Sequence, residues 1–484
     1  MKKNSIWKNI VHLFISTVVS RLLNAAALIV LAQYLSAASY GRFSVALAFA
    51  MILGYFTDVG LSNTVLREGS KKQADVDHLL SSYVKMRILL LLATFAGAYI
   101  AISLFYHEAS LVKMMYYLII PMVTGLAMQS IGITYFQLTE QMHHLGAIRI
   151  YSALLLVVLL TIGMLMHTSP LFISFLFGFS YFLAGLYGLW MVVKRVSFNL
   201  KKKIQRGLLK NIGSFIVSGL LIMLLPQLGP IVLENTIPLA AVGVFAVAYR
   251  IPSALYQVPG IVAGAFYPVL FRHYNHQQTD KHLQLNILQV KLMSLVGMLT
   301  ALPFYHLSDL AVSLLFGDKW AAAGDALKWL SLMLIFQGLS VALADGLTTK
   351  GLQGRRTGVQ LIAVVSGVIF YYFLSSAYSV MGAVYAALLI EGILFVGCWL
   401  CNPERVIIMR KTFPVFVCLF GSTLVLTTLL FSQHPFIALC VNMLLVFLLT
   451  LLDKEIRNQA LGYLQKNKPV KPVNVENRKE AQNG

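Results

Sequence analysis

The chain is 484 residues long, 58% hydrophobic and only 12% charged, with 38 basic against 18 acidic residues for a net charge of +20. A soluble chain is about a quarter charged, so this density cannot coat a water-facing surface of such length. It excludes a multidomain soluble enzyme, a disordered protein and a fibrous one.

A spanning helix needs about 20 predominantly apolar residues. That window predicts fourteen spans, at about 10–35, 43–66, 80–105, 114–138, 147–167, 171–193, 208–233, 239–270, 285–306, 324–348, 358–376, 381–401, 412–431 and 436–452. A membrane barrel would show short alternating segments instead of long apolar runs. Met1-Lys2-Lys3 before the first run imitates a secretory signal, but the run is too long and carries Arg21 and Asn24, so an uncleaved first span is expected.

Orientation follows from the basic residues. With the N-terminus cytoplasmic, 32 of the 38 fall on the inner side, counting Lys85, Arg87, Arg149 and Lys291 as inner helix ends. Arg42, Lys113, Lys319 and Lys328 fall outside, and Arg21 and Arg250 lie within spans. A missed span would scramble this alternation, so both termini are expected to be cytoplasmic. The positive charge is then mainly an orientation signal, with no basic water-facing domain for nucleic acid.

The longest charged connector, 195–210 with Lys201-Lys202-Lys203, divides the chain after six spans and reads as a solvated linker attracted to anionic lipid. Gly41-Arg42-Phe43-Ser44-Val45-Ala46 opens the second span and Gly243-Val244-Phe245-Ala246-Val247-Ala248 the eighth, 202 residues later. The same offset carries the starts of the first and third spans close to those of the seventh and ninth. The expected division is a six-helix lobe over 1–194, the linker, a second six-helix lobe of like orientation over 211–403, two additional helices over 404–452, and a polar cytoplasmic tail over 453–484.

Phosphate-loop, zinc-protease and nucleophile-elbow motifs are absent, and the connections are too short for a catalytic domain. A non-enzyme with no cofactor or metal is expected, driven by an ion, potential or substrate gradient. Cys398-Trp-Leu-Cys401 has zinc-like spacing but no second ligand pair, and reads as small residues on a helix.

Charge inside the spans is costly and usually faces a cavity or a partner. Arg21 and Arg250 lie near mid-membrane, one in each half. They either pair structurally with Glu391 or Asp58, or line a cavity for a diphosphate or acidic sugar, which guanidinium binds bidentately. Asp58, Asp345 and Glu391 are candidates for ion coupling, with interfacial placement or a salt bridge as the alternative. Pro252, Pro259, Gly260 and Pro268 punctuate the eighth span as a static kink or a hinge, and Gly260-x-x-x-Gly264 suits close helix approach.

Five motifs in register resemble one family. Tyr34-Leu35 with Tyr40-Gly41-Arg42-Phe43 is similar to the junction of the first two helices in polysaccharide-type flippases, and Asp58-Val59-Gly60-Leu61 through Leu66-Arg67-Glu68 to the end of their second. Val242-Gly243-Val244-Phe245 through Ala248-Tyr249-Arg250, and Phe266-Tyr267-Pro268-Val269-Leu270, resemble parts of their eighth. Leu315-Phe316-Gly317-Asp318-Lys319-Trp320 resembles the motif before their tenth. The chain thus resembles the oligosaccharide flippase or polysaccharide transporter group of the MOP (multidrug/oligosaccharidyl-lipid/polysaccharide) exporter superfamily.

The resemblance implies an all-α polytopic protein of the bacterial cytoplasmic membrane, with two six-helix lobes around a cationic cavity and alternating access. It implies an undecaprenyl-diphosphate-linked oligosaccharide as cargo, membrane lipids, a polysaccharide polymerase and a chain-length regulator as partners, and Arg21, Arg67 and Arg250 as contacts to the acidic head group. Arg67 is equally readable as an inner-side anchor. An ion-coupled drug or metabolite antiporter and a lipid II flippase are the competing readings.

Overall fold

The computed structural model describes residues 3–71, 75–199, 201, 203–209, 212–413, 420–453 and 456–457. Most of the 453–484 tail and part of the linker lie outside the described residues.

The first half comprises α1 (Lys3–Tyr34), α2 (Ala37–Phe56), α3 (Leu61–Gly69), α4 (Val76–Phe105), α5 (Ala109–Leu138), α6 (Met142–Leu165) and α7 (Pro170–Val193). The second comprises α8 (Ile212–Leu224), α9 (Leu228–Leu233), α10 (Leu239–Leu255), α11 (Gln257–Asn275), α12 (Thr279–His306), α13 (Ser308–Phe316), α14 (Ala323–Ser331), α15 (Met333–Thr349) and α16 (Gln353–Leu400). α17 (Arg405–Phe413), α18 (Phe420–Leu430) and α19 (Pro435–Leu452) follow. Ten helical stretches among the described residues are long and apolar enough to cross a membrane. The protein is an all-α polytopic membrane protein.

Several predicted spans are broken, for local reasons. The second bends where Val59 (φ 40°) and Gly60 (φ 83°) enter the left-handed region, and Asp58 then accepts the Ser62 N–H (3.2 Å) at the start of α3. Pro226, lacking a backbone donor, sits in the single 3₁₀ turn separating α8 from α9. The eighth span divides into α10 and α11 at Tyr256, between Pro252 and Pro259. The eleventh and twelfth spans are the two arms of α16, which reverses at Ser379 (φ 53°, ψ −129°).

The repeated hexapeptides pack on each other. A Cβ on Gly41 would overlap the Leu239 carbonyl and lie 3.1 Å from Gly243 N; one on Gly243 would overlap the Ala37 carbonyl and lie 3.2 Å from Gly41 N. Ala37 and Leu239 are themselves 202 residues apart, so the contact is reciprocal: each repeat meets the same position of the other. Backbones approach this closely only where side chains are absent. Gly260 and Gly264, by contrast, face open space, so the close approach expected there occurs instead between α2 and α10.

Where α1 ends, on the face the charge bias assigns to the outside, the motif at 315–320 caps it. Lys319 Nζ donates to the Leu35 carbonyl (2.8 Å) and to that of Gln33. Trp320 Nε1 donates to the Ala32 carbonyl (2.9 Å), and Gln33 Nε2 to the Leu315 carbonyl (2.7 Å). A cation on the last carbonyls of a helix complements its dipole, and burial pushes the Lys319 ammonium pKa down from the usual lysine range. Lys319→Met should therefore cost about 1–2 kcal/mol, read as a lower thermal midpoint in detergent, while Lys328→Met should not.

The described part of the basic linker is tied to the first half through its backbone. Ser81 Oγ accepts Asn199 N–H (2.9 Å), Ser82 Oγ accepts Gln205 N–H (3.1 Å), and His78 Nε2 lies 2.8 Å from the Lys203 carbonyl. Its Lys201 and Lys203 side chains remain exposed. At the far end, Asn442 Nδ2 bridges Thr427 Oγ1 (2.6 Å) and His306 Nε2 (2.8 Å), fastening α18 and α19 to α12.

Candidate functional site

Two cavities flank α10. The larger, about 260 Å³, lies within the second half and is walled by α8, α10, α15 and both arms of α16; Glu391, Arg356, Tyr249, Tyr256 and Tyr371 line it. The smaller, about 100 Å³, opens between α2 and α10 and contains Arg250. Pro226, Tyr249 and Ser253 line both, so the two share a wall.

Arg250 is half-buried and its Nε donates to Tyr40 Oη at 3.2 Å, across from one half to the other. Tyr40 is packed edge-on to Trp320, ring centroids 5.5 Å apart, which fixes the phenol. The guanidinium thus keeps donors for an anion. Among the described residues no carboxylate lies within ion-pair distance of Arg250 or of Arg21. The pairing with Glu391 or Asp58 allowed for these arginines therefore does not occur.

Arg21 is exposed on α1, close enough to Arg149 of α6 for the two cations to repel each other. Arg149 Nη1 donates to Thr17 Oγ1 at 2.8 Å, which turns the α6 side chain toward α1. Sequence reasoning had placed Arg149 at an inner helix end; what brings it to Arg21 is the long α1–α6 packing, with Gly146 seated against Ser16. Neither guanidinium has a carboxylate within ion-pair distance among the described residues.

Asp58 is engaged structurally. Arg87, 2% exposed, donates from Nη1 to Asp58 Oδ1 (3.0 Å) and to the Thr57 carbonyl (2.8 Å), while Nη2 donates to the Ala127 carbonyl (3.0 Å). Ser62 Oγ (2.6 Å) and Tyr83 Oη (3.3 Å) donate to the same carboxylate. Arg87 is thus a buried clamp between α4, α5 and the α2–α3 bend, a pairing that its count toward orientation did not foresee. Lys291 is likewise buried and bonded to Asp453 at 2.7 Å.

Arg67 lies at the end of α3 beside Glu68 (3.3 Å), with Nη2 reaching the Gly207 carbonyl of the linker at 3.4 Å. It is not brought to Arg21 or Arg250 by any described contact. Asp345 is buried behind the larger cavity, where Gln289 Nε2 donates to it at 2.8 Å and Asn286 and Gln289 continue a polar string. Glu391 lines the cavity itself and accepts from Gln337 Nε2 at 2.9 Å.

Pro252 is buried in α10, Pro259 lies in the first turn of α11 and Pro268 farther along it. Gly260, with open space around it, stands just past the break. Arg356, Gln337, Ser340 and Gln360 are cavity residues that sequence reasoning missed. Arg356 reads as a loop charge, and buried glutamines and serines carry no distinctive pattern. Among the described residues no cluster of three or more His, Cys, Asp or Glu side chains could hold a metal ion.

The fold is shared with known transporters. The chain resembles the inward-facing conformation of a multidrug resistance MATE family transporter of the MOP superfamily, with TM-score 0.66 and 15% identity over 84% of this chain and 99% of that one. It resembles the lipid II flippase MurJ in an inward closed conformation, with TM-score 0.66 and 14% identity over 94% of this chain and 99% of that one. A MOP superfamily transporter from Pyrococcus furiosus, described as having a binding pocket of reversed polarity, matches with TM-score 0.58 and 18% identity, over 84% of this chain and 96% of that one. No curated protein sequence matches the chain. The family model described as "Polysaccharide biosynthesis protein" matches residues 6–274, more than half the chain and the whole of the segment carrying Arg21, Arg149 and Arg250. The chain therefore belongs to the polysaccharide biosynthesis protein family, built on the fold of the MOP superfamily.

Proposed function

We propose that the protein is a flippase that moves undecaprenyl-diphosphate-linked oligosaccharide repeat units across the bacterial cytoplasmic membrane by alternating access, for surface polysaccharide such as O-antigen, capsule or exopolysaccharide. The observation that carries this reading is the presence of acid-free guanidinium groups in a family tied to polysaccharide synthesis: Arg250 in the gap between the halves, and Arg21 beside Arg149. A diphosphate needs donors that stay charged when water is excluded, and arginine supplies them. A cationic drug would be repelled by the same groups.

On this reading fourteen spans form two six-helix lobes plus two appended helices, with both termini cytoplasmic. The reciprocal Gly41–Gly243 contact is the seam about which the lobes rock. The α10–α11 break, flanked by Pro252, Pro259, Gly260 and Pro268, is the hinge. Of the three candidate carboxylates, Glu391 carries ion coupling, because it opens on a cavity; Asp345 supports it from the buried string, and Asp58 is committed to Arg87. Arg67 guides head groups at the cytoplasmic entrance. The polymerase and chain-length regulator act downstream on the flipped cargo.

A deletion strain should lose surface polysaccharide and accumulate its lipid-linked precursor. Normal polysaccharide with altered drug sensitivity would identify an antiporter instead. In the complemented strain, Arg250→Ala and Arg149→Ala should each lower export about tenfold or more, as expected for loss of a charge-assisted contact. Protein level should stay at wild type, and Arg250→Lys should recover only part of the activity because a lysine cannot bind bidentately. Full export in all three variants would remove the arginines from the transport path.

A further inference from the structure

The larger cavity holds three polar side chains that are nine-tenths or more buried yet leave an atom without a partner. Gln337 is 4% exposed, Ser340 8% and Gln360 8%, and Gln337 Oε1, Ser340 Oγ and Gln360 Oε1 make no hydrogen bond. All three residues line the cavity. Orphaned buried polar atoms cost about 1–3 kcal/mol each, and three in one cavity are the signature of a site rather than of packing.

The chemistry of what would satisfy them is readable. Gln337 Nε2 is spent on Glu391 at 2.9 Å, so the network assigns its oxygen as the free group. That oxygen, and the Gln360 oxygen, can only accept. A ligand that satisfies them presents donors, which fits hydroxyl or acylamino groups, whereas an ionised phosphate has none to offer these two oxygens. A bare monovalent cation would also suit acceptor oxygens. Yet about 260 Å³ is far more than an ion needs, so a cation held at Glu391 would leave most of the space unfilled, and Tyr249, Tyr256 and Tyr371 supply aromatic surface around it. The volume lies just under the roughly 300–1,000 Å³ of drug-sized sites, a scale that suits a sugar ring.

Position decides the rest. The Arg250 cavity shares Pro226, Tyr249 and Ser253 with this one. A glycan attached directly to a diphosphate must lie beside whatever holds that diphosphate. We propose that the larger cavity is a sugar-reading subsite, in which Gln337, Ser340 and Gln360 bond the hydroxyl or acylamino groups of the sugar nearest the diphosphate and the tyrosines wall its ring. This rests on the flippase reading and adds the specificity determinants to it. Cargo selection is then divided: the guanidinium groups recognise the carrier common to all such lipids, and the second half reads the glycan.

The test uses the full chain in nanodiscs and two probes: bare undecaprenyl diphosphate, and the lipid-linked glycan fraction extracted from the host's own membranes. Wild type should bind the glycan-bearing lipid about tenfold or more tighter than the bare one, the ratio expected for hydrogen bonds to buried groups. Gln360→Leu and Ser340→Ala should each shrink that ratio severalfold, and together abolish it, while affinity for the bare lipid stays at the wild-type value and so reports an intact fold. An unchanged ratio, an equal loss for both probes, or an altered sodium or proton dependence with the ratio intact would each overturn the sugar subsite, the last in favour of a cation site. Failure of wild type to bind either probe would instead overturn the flippase reading itself.

Discussion

Gly41→Ala and Gly243→Ala should each destabilise the protein by about 1–3 kcal/mol or more, the cost of overpacking a closed interface, and should sharply reduce export. The added methyl group overlaps a carbonyl oxygen of the opposing helix, Leu239 in one case and Ala37 in the other. A carbonyl cannot rotate away as a flexible side chain can, so α2 and α10 must separate. Separation would also pull Tyr40 from Arg250, since that hydrogen bond spans the same two helices at 3.2 Å.

The control fixes the sign. Gly260→Ala and Gly264→Ala place a methyl in open space, and glycine to alanine in a helix interior gains up to about 1 kcal/mol from backbone entropy. Thermal unfolding in detergent should therefore show lower midpoints for the first pair and unchanged or higher ones for the second. Gly260 additionally tests the hinge: a stiffer Gly260→Ala variant should keep its stability yet export more slowly. Equal midpoints for Gly41→Ala and Gly260→Ala would mean that the helices do not meet as described.

The second large effect is expected at Asp58. Asp58→Ala leaves Arg87, 2% exposed, without its counter-charge, and breaking a buried pair by removing one partner costs about 3–5 kcal/mol. The variant should lose most folded protein. Asp58→Ala combined with Arg87→Met should recover much of that loss, because the uncompensated charge is gone, even though the carbonyls of Thr57 and Ala127 lose their donor. An ion-coupling carboxylate behaves oppositely: its neutral variant folds and fails to couple. Glu391→Gln should follow that second pattern, keeping wild-type folded protein while the response of export to the ion gradient disappears. If Asp58→Ala instead folded normally with altered ion dependence, the clamp would be the wrong description of this pair.

Asp58 and Arg87 also show where sequence reasoning stops. Asp58, toward the inner end of one span, reads as an ion-coupling or interfacial carboxylate and Arg87, near the start of another, as an inner-end charge, and nothing in either local pattern links them. They meet because Val59 and Gly60 take left-handed conformations and turn Asp58 toward α4. Arg149 is the same case: counted toward orientation, it belongs beside Arg21 because α1 and α6 pack along their length. By contrast the repeat at Gly41 and Gly243 was visible in the chain, and the structure turned a spacing into a contact. The Leu315–Trp320 motif was visible too, but its work on the carbonyls of Ala32, Gln33 and Leu35 depends on an encounter across nearly three hundred residues.

What a one-dimensional reading could settle was whatever water and lipid impose on a segment independently of its neighbours. Apolar run length marks out membrane helices, the sidedness of lysine and arginine gives an expected orientation, and an offset of 202 residues pairs two segments; these are local or additive quantities. The pairing of charges and the closing of a cavity are not. The orphaned oxygens of Gln337, Ser340 and Gln360 look in sequence like ordinary polar residues on helices, and only packing decides whether a polar atom is satisfied. Tertiary structure alone therefore separated the carboxylate that clamps from the one that lines a cavity, and the arginine paired with an acid from those bonded only to hydroxyl groups.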